Sequence, residues 1–342
     1  MKRIIPLCLA LIMTVGLLAG CGKQNKQTAS NETRLRVVTT IFPEYDWVRE
    51  ILGDKADNAE VTMLLDNGAD LHSYQPTADD IIKISECDLF IYVGGESDDW
   101  VDDALKNAAN ENMKVINLLE ALGERVKTEE AVEGMQEEEH DHDHDHEDID
   151  EHDDAKEHDH EEEAEYDEHV WLSLKNAQTL CSAISSVLQQ IDPDNKDTYA
   201  ANASAYIKKL SALDADYQAA VDAAACKTVL FGDRFPFRYL AEDYSLRYYA
   251  AFAGCSAESE ASFETISFLA GKVDELNLPC VLTIEGVQHK IAETIVRNTA
   301  AKNQKVLTMD SMQSTTSKEA ANGTTYLSVM ERNLSVLKEA LG

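Results

Sequence analysis

One segment restricts the fold of this chain more than any other, a long helical pattern near its middle. No glycine or proline interrupts the pattern between residues 196 and 224. Apolar side chains recur there at every third or fourth position, the spacing of one helix face; they are Tyr199, Ala203, Tyr206, Ile207, Leu210, Leu213, Tyr217 and Val221. A helix of about thirty residues spans about 45 Å. The pattern therefore predicts a rigid strut between two domains.

Short apolar runs alternate with helical patterns on both sides of this strut. The strand-like runs are 35–40, 61–65, 89–93, 115–118, 228–231, 247–252, 279–284 and 305–309, and a final helix starts near Thr325. Such alternation predicts mostly parallel sheets. The expected fold class is α/β, with two α/β sandwich domains joined by a long rigid linker helix. The expected bounds are 34–172 for the N-terminal domain, 173–225 for the helical linker and 226–342 for the C-terminal domain.

The N-terminus has the features of an export signal. A basic start is followed by an apolar run over residues 4–18, too short for a comfortable membrane span. It ends in Leu18-Ala19-Gly20-Cys21, which resembles the bacterial lipobox. We therefore expect a signal peptide over 1–20, lipidation of Cys21, a tether over 21–33, and anchoring to the outer face of the cell membrane as a lipoprotein. A plain secretory signal with a chance cysteine is the alternative.

Charge and histidine are concentrated in one acidic segment, residues 137–168. The formal net charge of −34 excludes nucleic acid as a partner and suits cations. Seven of the ten histidines lie in this segment: His140, His142, His144, His146, His152, His158 and His160. Imidazole and carboxylate groups are ligands that zinc prefers. We expect a disordered loop with weak, multiple metal sites; the alternative is a solvated loop whose histidines are incidental.

The remaining cysteines carry little information by themselves. Cys87, Cys181, Cys226, Cys255 and Cys280 are scattered and lack C-x-x-C spacing. Mostly buried free thiols are expected, with one disulfide left open.

Three further residues stand where ligands of a folded site would stand. His72 lies in a loop after a predicted strand, His169 directly follows the acidic segment, and Asp310 ends a predicted strand. Loops at the carboxyl ends of parallel strands are where open α/β sheets bind ligands. Taken singly, each residue is equally explained as a capping or turn residue.

A set of motifs, taken in order, resembles the solute-binding proteins of zinc and manganese ABC importers over essentially the whole mature chain. The matching stretches are 68–80 (GADLHSYQPTADD), 92–95 with Trp100, 169–172 (HVWL), 235–243 (FPFRYLAED) and Ile284-Glu285. The resemblance implies two α/β domains, one stiff helix and a single metal in the cleft between the domains. It also implies that a histidine-rich acidic insertion marks the zinc-selective branch.

Carried over by position, the resemblance makes His72 and His169 the metal ligands of the first domain and Asp310 the carboxylate ligand of the second. Arg234 stands at the position of the third ligand, usually histidine or glutamate. A guanidinium cannot bind a cation. Asp233 or a water would then replace the missing ligand.

His289 is a further candidate, although a surface histidine that opens a helix explains it equally well. Two histidines with carboxylates suit Zn2+, and loss of the third histidine keeps Mn2+ as an alternative. The expected protein is a monomeric, non-enzymatic zinc-binding component that delivers metal to the permease and ATPase of an ABC importer and touches the membrane only through its lipid. A manganese or iron member of the family and a surface buffering or adhesion protein remain alternatives. A metallohydrolase is disfavoured because H-E-x-x-H and G-x-S-x-G are absent from the sequence.

Overall fold

Two parallel four-stranded sheets organise the chain in the computed structural model, which describes residues 34–136, 165–256, 260–286 and 288–342. The first sheet has the order β2-β1-β3-β4 and the second β6-β5-β7-β8. The strands are β1 Leu35–Thr39, β2 Ala59–Met63, β3 Leu89–Tyr92, β4 Lys114–Asn117, β5 Thr228–Arg234, β6 Arg247–Phe252, β7 Cys280–Thr283 and β8 Lys305–Thr308. We call the described residues up to 172 the first lobe and those from 226 onward the second lobe.

Every strand predicted from an apolar run is present, within three residues at either end. The central strands are buried on both faces, as parallel strands covered by helices must be. Val37 in β1 pairs with Val61 on one side and Leu89 on the other, and Val37 and Leu89 are fully buried. Parallel pairing throughout both sheets confirms the predicted α/β fold class.

Helices cover the sheets, and capping side chains mark where several of them begin. Thr77 accepts a hydrogen bond from the Asp80 amide, Ser173 from that of Asn176, and Thr325 from that of Ser328. Each cap satisfies an amide that the first turn leaves unpaired. The helices are α1 Phe42–Leu52, α2 Ala78–Glu86, α3 Val101–Leu105, α4 Leu118–Leu122, α5 Leu174–Ile191, α6 Lys196–Ala223, α7 Arg238–Asp243, α8 Phe263–Leu276, α9 Lys290–Asn298, α10 Ser317–Ala321 and α11 Tyr326–Leu341.

The long helix α6 contacts both lobes, as the strut prediction requires. It has 28 residues, which corresponds to about 42 Å. Asn202 donates to the Ile51 carbonyl of α1 at 3.0 Å, and Tyr244 of the second lobe donates to Asp214 at 2.8 Å. The predicted helical connection is therefore present, while the expected domain bounds stay a prediction.

Strand order determines where the two lobes expose loops. Sheet order reverses between β1 and β3 in the first lobe and between β5 and β7 in the second. A crevice opens at the carboxyl ends of the strands at such a reversal. His72, Arg234 and Asp310 all lie on loops or strand ends at these edges.

The last residues of the acidic segment are part of the described fold. Tyr166 bridges Thr128, and Asp167 and Glu168 are both 2% exposed. Asp167 and Glu168 are held by hydrogen bonds next to His169, while the bounds expected for the disordered loop stay a prediction. The seven predicted loop histidines and Cys21 lie outside the described residues. Within the described chain, no helix is both long and apolar enough to cross a membrane.

Candidate metal centre

His169 is fully buried, and a neighbouring carboxylate orients its ring. The Asp167 Oδ1 atom accepts from the His169 backbone amide at 2.9 Å and lies 3.0 Å from His169 Nδ1. Because a carboxylate only accepts, this contact places the ring proton on Nδ1. The lone pair of Nε2 is then directed away from Asp167, the arrangement of a histidine prepared for a metal.

His72 is oriented in the same way from a different loop. It lies in a short turn, Leu71–Ser73, whose preceding residue Asp70 accepts from the His72 backbone amide at 3.1 Å. His72 Nδ1 lies 2.9 Å from Ser97 Oγ and 3.4 Å from Glu168 Oε2. These oxygens favour a proton on Nδ1, so Nε2 is the atom left to bind a cation.

The two Nε2 atoms meet 3.3 Å apart. Two nitrogens bound tetrahedrally to zinc at 2.0–2.1 Å lie about 3.3 Å from each other. The structure therefore brings together the two histidines that the sequence predicted, at the separation of a zinc ligand pair.

Glycine at position 95 makes the carboxylate contact to His72 achievable. Gly95 has φ +86, and a Cβ there would lie 2.4 Å from Glu168 Oε1. The same Glu168 Oε1 accepts from the Ser97 amide at 2.9 Å. Only glycine allows the loop after β3 to pass this close to Glu168.

Burial keeps His72 neutral. Burial first, and then the interactions with His169 and Arg234, lower the pKa of His72 to about 3, against an opposing effect of Asp70. A neutral imidazole is the form that binds metal. His72 is therefore in the form that can bind a metal ion through a ring nitrogen.

Arg234 stands where the third ligand was expected, but its side chain joins the two lobes. Its Nη2 lies 2.6 Å from Asp70 Oδ2, with the two side chains 20% and 26% exposed. Its Nη1 donates to the Ser256 carbonyl at 3.4 Å. Although burial raises the pKa of Asp70, the Arg234 charge holds it below its ordinary value.

The Gln313 side-chain amide lies in the same space. It is 2.8 Å from Asp70 Oδ1 and 2.9 Å from His169 Nε2. Gln313 thus connects the Asp70–Arg234 ion pair to the histidine pair.

Cys255 faces the histidines from the second lobe. Its sulfur and the ring nitrogens of His72 and His169 all lie within 4.8 Å of one another. The Cys255 amide donates to Glu129 Oε1 at 2.9 Å. Burial, with the charges of nearby carboxylates, raises the pKa of the thiol above its ordinary value.

Asp310 is not part of that three-residue group. One of its oxygens accepts from the Met312 amide at 2.9 Å, and the other lies 3.7 Å from Arg332 Nη2. Burial raises its pKa, with the Met312 amide and Arg332 opposing that rise. In this arrangement Asp310 is turned toward its own lobe, and its role as a ligand stays a prediction.

The other two candidates from the sequence are also occupied by contacts within the second lobe. Asp233 accepts from the Arg234 amide at 2.9 Å and from the Thr283 hydroxyl at 2.5 Å. His289 precedes α9, as a histidine opening a helix would, and its Nδ1 lies 3.1 Å from Thr283 Oγ1. Metal binding by Asp233 stays a prediction.

A cavity of about 890 Å³ opens beside His72. Its lining includes Asp70, His72, Asp233, Arg234, Glu260 and Glu285. A lining richer in carboxylates than in cations attracts a metal ion.

Sequence reasoning missed Cys255 and Gln313 as residues of the site. Both follow the carboxyl ends of second-lobe strands, Cys255 three residues after β6 and Gln313 five after β8. That position was the available signal, although neither residue lies in a metal-binding spacing pattern.

Comparison with known proteins places the chain. The family model described as "Zinc-uptake complex component A periplasmic", ZnuA, matches residues 37–340. The chain is 31% identical over 327 residues to the high-affinity zinc uptake system protein ZnuA of Bacillus subtilis (strain 168), covering 95% of this chain and 94% of that protein. It is 32% identical over 339 residues to the zinc-binding lipoprotein AdcA of Streptococcus pneumoniae serotype 4, covering 99% of this chain but only 61% of that protein.

A solved structure agrees with the sequence matches. The crystal structure of the Zn(II)-bound ZnuA-like domain of Streptococcus pneumoniae AdcA matches with a TM-score of 0.66 and 28% identity, covering 90% of this chain and 99% of that chain. The strut helix, the two sheets and the histidine pair at their facing edges agree with these matches. The chain belongs to the ZnuA family.

Proposed function

We propose that this chain is an extracytoplasmic solute-binding protein that captures zinc between its lobes and delivers it to an ABC importer. The observation that carries the proposal is the His72–His169 pair, with Nε2 atoms 3.3 Å apart. Both Nδ1 atoms are held by oxygen acceptors from the protein. This is a preorganised site for a borderline divalent cation.

The names of the relatives support the same cargo. One is described as a high-affinity zinc uptake protein and another as a zinc-binding lipoprotein. Lipid attachment at Cys21 is part of the proposal, and so are an importer permease and its ATPase as partners and a monomeric, non-catalytic state. Manganese is the less favoured cargo because it prefers more oxygen ligands than two imidazoles leave room for.

The test is calorimetric titration of zinc and of manganese into metal-stripped protein of residues 22–342. The variants are the His72→Ala/His169→Ala double substitution and, as a matched control, His289→Ala. We expect one tight zinc site that the double variant loses and the control keeps. Tight binding of manganese with weak binding of zinc would instead assign the manganese alternative.

A deletion variant separates the cleft from the acidic segment. Deleting residues 137–164 leaves Asp167 and Glu168, which orient the two histidines. We expect this deletion to remove weak sites and keep the tight one. Loss of the tight site on deletion would show that capture takes place in the acidic segment and not in the cleft.

A further inference from the structure

We infer that Cys255 is a metal ligand, and that its thiolate supplies the third protein bond to the zinc held by His72 and His169. The inference rests on the proposed function and names the second lobe's contribution to it. It starts from a geometric fact: the three ligand atoms lie within 4.8 Å of one another. In a tetrahedral zinc site a nitrogen and a sulfur ligand lie about 3.6 Å apart. The sulfur and the two rings are therefore close enough for one ion to bind all three after a small shift of the Cys255 loop.

The loop that carries Cys255 is built to lie against the histidine. A Cβ on Gly254 would lie 3.1 Å from both Cε1 and Nδ1 of His169 and 3.0 Å from the Phe235 carbonyl. Such contacts are tighter than a side chain tolerates without a shift of its neighbours. Glycine at this position lets the backbone approach the Nδ1–Cε1 edge of the imidazole, and the next residue in the loop is Cys255.

Two contacts from opposite sides hold this loop in place. Glu129 accepts from the Cys255 amide at 2.9 Å. Arg234 donates to the Ser256 carbonyl at 3.4 Å and pairs with Asp70 at 2.6 Å. Arg234, a side chain that cannot ligate, therefore contacts both the Cys255 loop and the loop of His72.

A thiolate ligand also restores the preference for zinc over manganese that the site loses when its third histidine is missing. Two imidazoles and a soft sulfur favour zinc, whereas manganese favours oxygen ligands. When the Zn–S bond forms, the S–H bond breaks and its proton leaves to solvent. Zinc is able to displace that proton because a coordinating thiol is deprotonated by the ion.

The test uses X-ray absorption on zinc-loaded protein of residues 22–342. A sulfur neighbour at about 2.3 Å is distinguishable from nitrogen at 2.0–2.1 Å. We expect one sulfur in the native protein, none in Cys255→Ser, and one in Cys226→Ser, a control cysteine that is also partly buried in the second lobe. Circular dichroism of each variant checks that it folds.

Metal affinity provides a second readout. Replacing a cysteine that has only a structural role would not weaken zinc binding more than manganese binding. We expect Cys255→Ser to weaken zinc binding by at least about 100-fold, since even partners outside the ligand shell contribute about 10–100-fold. Manganese binding should change by less than about threefold because manganese gains little from sulfur. Cys255→Asp, which supplies an oxygen ligand, should recover part of the zinc affinity and improve that for manganese.

The outcomes separate the inference from the function. Tight zinc without a sulfur neighbour, or with one that survives Cys255→Ser, overturns the thiolate assignment while zinc capture by the histidines stands. Absence of any tight zinc site in the native protein overturns both.

Discussion

The Asp70–Arg234 ion pair can be broken from either side, and the two substitutions should move zinc affinity in opposite directions. Asp70→Asn leaves an unpaired guanidinium beside the metal centre, and Arg234→Gln leaves an unpaired carboxylate there. Arg234 already acts on positive charge at the site, since it helps to lower the pKa of His72 after burial and His169. We therefore expect weaker zinc binding in the first variant and stronger binding in the second.

The magnitude follows from the Gln313 bridge. The Gln313 side-chain amide spans the gap, 2.8 Å from Asp70 Oδ1 and 2.9 Å from His169 Nε2, so the carboxylate is within about 8 Å of the metal position. At an effective dielectric constant near 20, a unit charge and a divalent ion at about 8 Å interact by about 4 kcal/mol. The pair is 20% and 26% exposed, and screening reduces this to about 2 kcal/mol. Each variant should change Kd about thirtyfold.

The assay is competition against a chelator of known zinc affinity, at low and at high salt. The double variant Asp70→Asn/Arg234→Gln restores the net charge and should return close to native affinity. Arg297→Gln, which removes an exposed arginine of the same lobe, is the control for a general change in charge. Weakening of zinc binding by both single variants would refute the electrostatic reasoning and show that the pair acts by holding the lobes together.

Three further substitutions, with Gly123→Ala as a control for one of them, test other parts of the structure. Asp167→Ala should weaken zinc binding about 10–100-fold by chelator competition, because it removes the acceptor that orients a ligand. An unchanged affinity would contradict that role. Gly95→Ala should lower both the thermal midpoint and the zinc affinity. Gly123 has φ +54 and open space around it, so Gly123→Ala should cost about 1–2 kcal/mol of stability and leave zinc affinity unchanged. Equal zinc affinities in the two variants would exclude the steric argument. Burial raises the pKa of Asp46 from 3.8 to about 7. Between these values the carboxyl group stays protonated in the folded state but ionises in the unfolded state. The protein therefore loses up to about 4 kcal/mol of stability as pH rises from about 4 to 7. Asp46→Asn should therefore stabilise the protein more at pH 8 than at pH 5 in thermal melts, and a gap independent of pH would refute the shift.

The strands and the strut were predictable because their signals are local. A strand such as Leu89–Tyr92 is an uninterrupted apolar run, and parallel strands buried on both faces leave that pattern in the sequence. The helix Lys196–Ala223 shows its buried face as a repeat of three and four residues without a glycine or proline. These features depend on neighbours in the chain, so they could be read before any tertiary contact was known.

The histidine pair was also predicted, but by resemblance and strand-end position together. Neither His72 nor His169 has a spacing pattern that identifies a ligand alone. Their 97-residue separation is closed only when two loops of the first lobe fold against each other.

Only the tertiary structure shows which residues of the second lobe face the histidine pair. Asp310 and Asp233 carry the right chemistry, yet both accept hydrogen bonds from their own lobe. Cys255 and Gln313 lacked a spacing signal, because their approach depends on how two loops pack across the cleft. Arg234 was correctly excluded as a ligand from its chemistry alone, but its pairing with Asp70 spans 164 residues. Sequence determines which groups a chain can offer; which of them face a common point depends on contacts between distant residues.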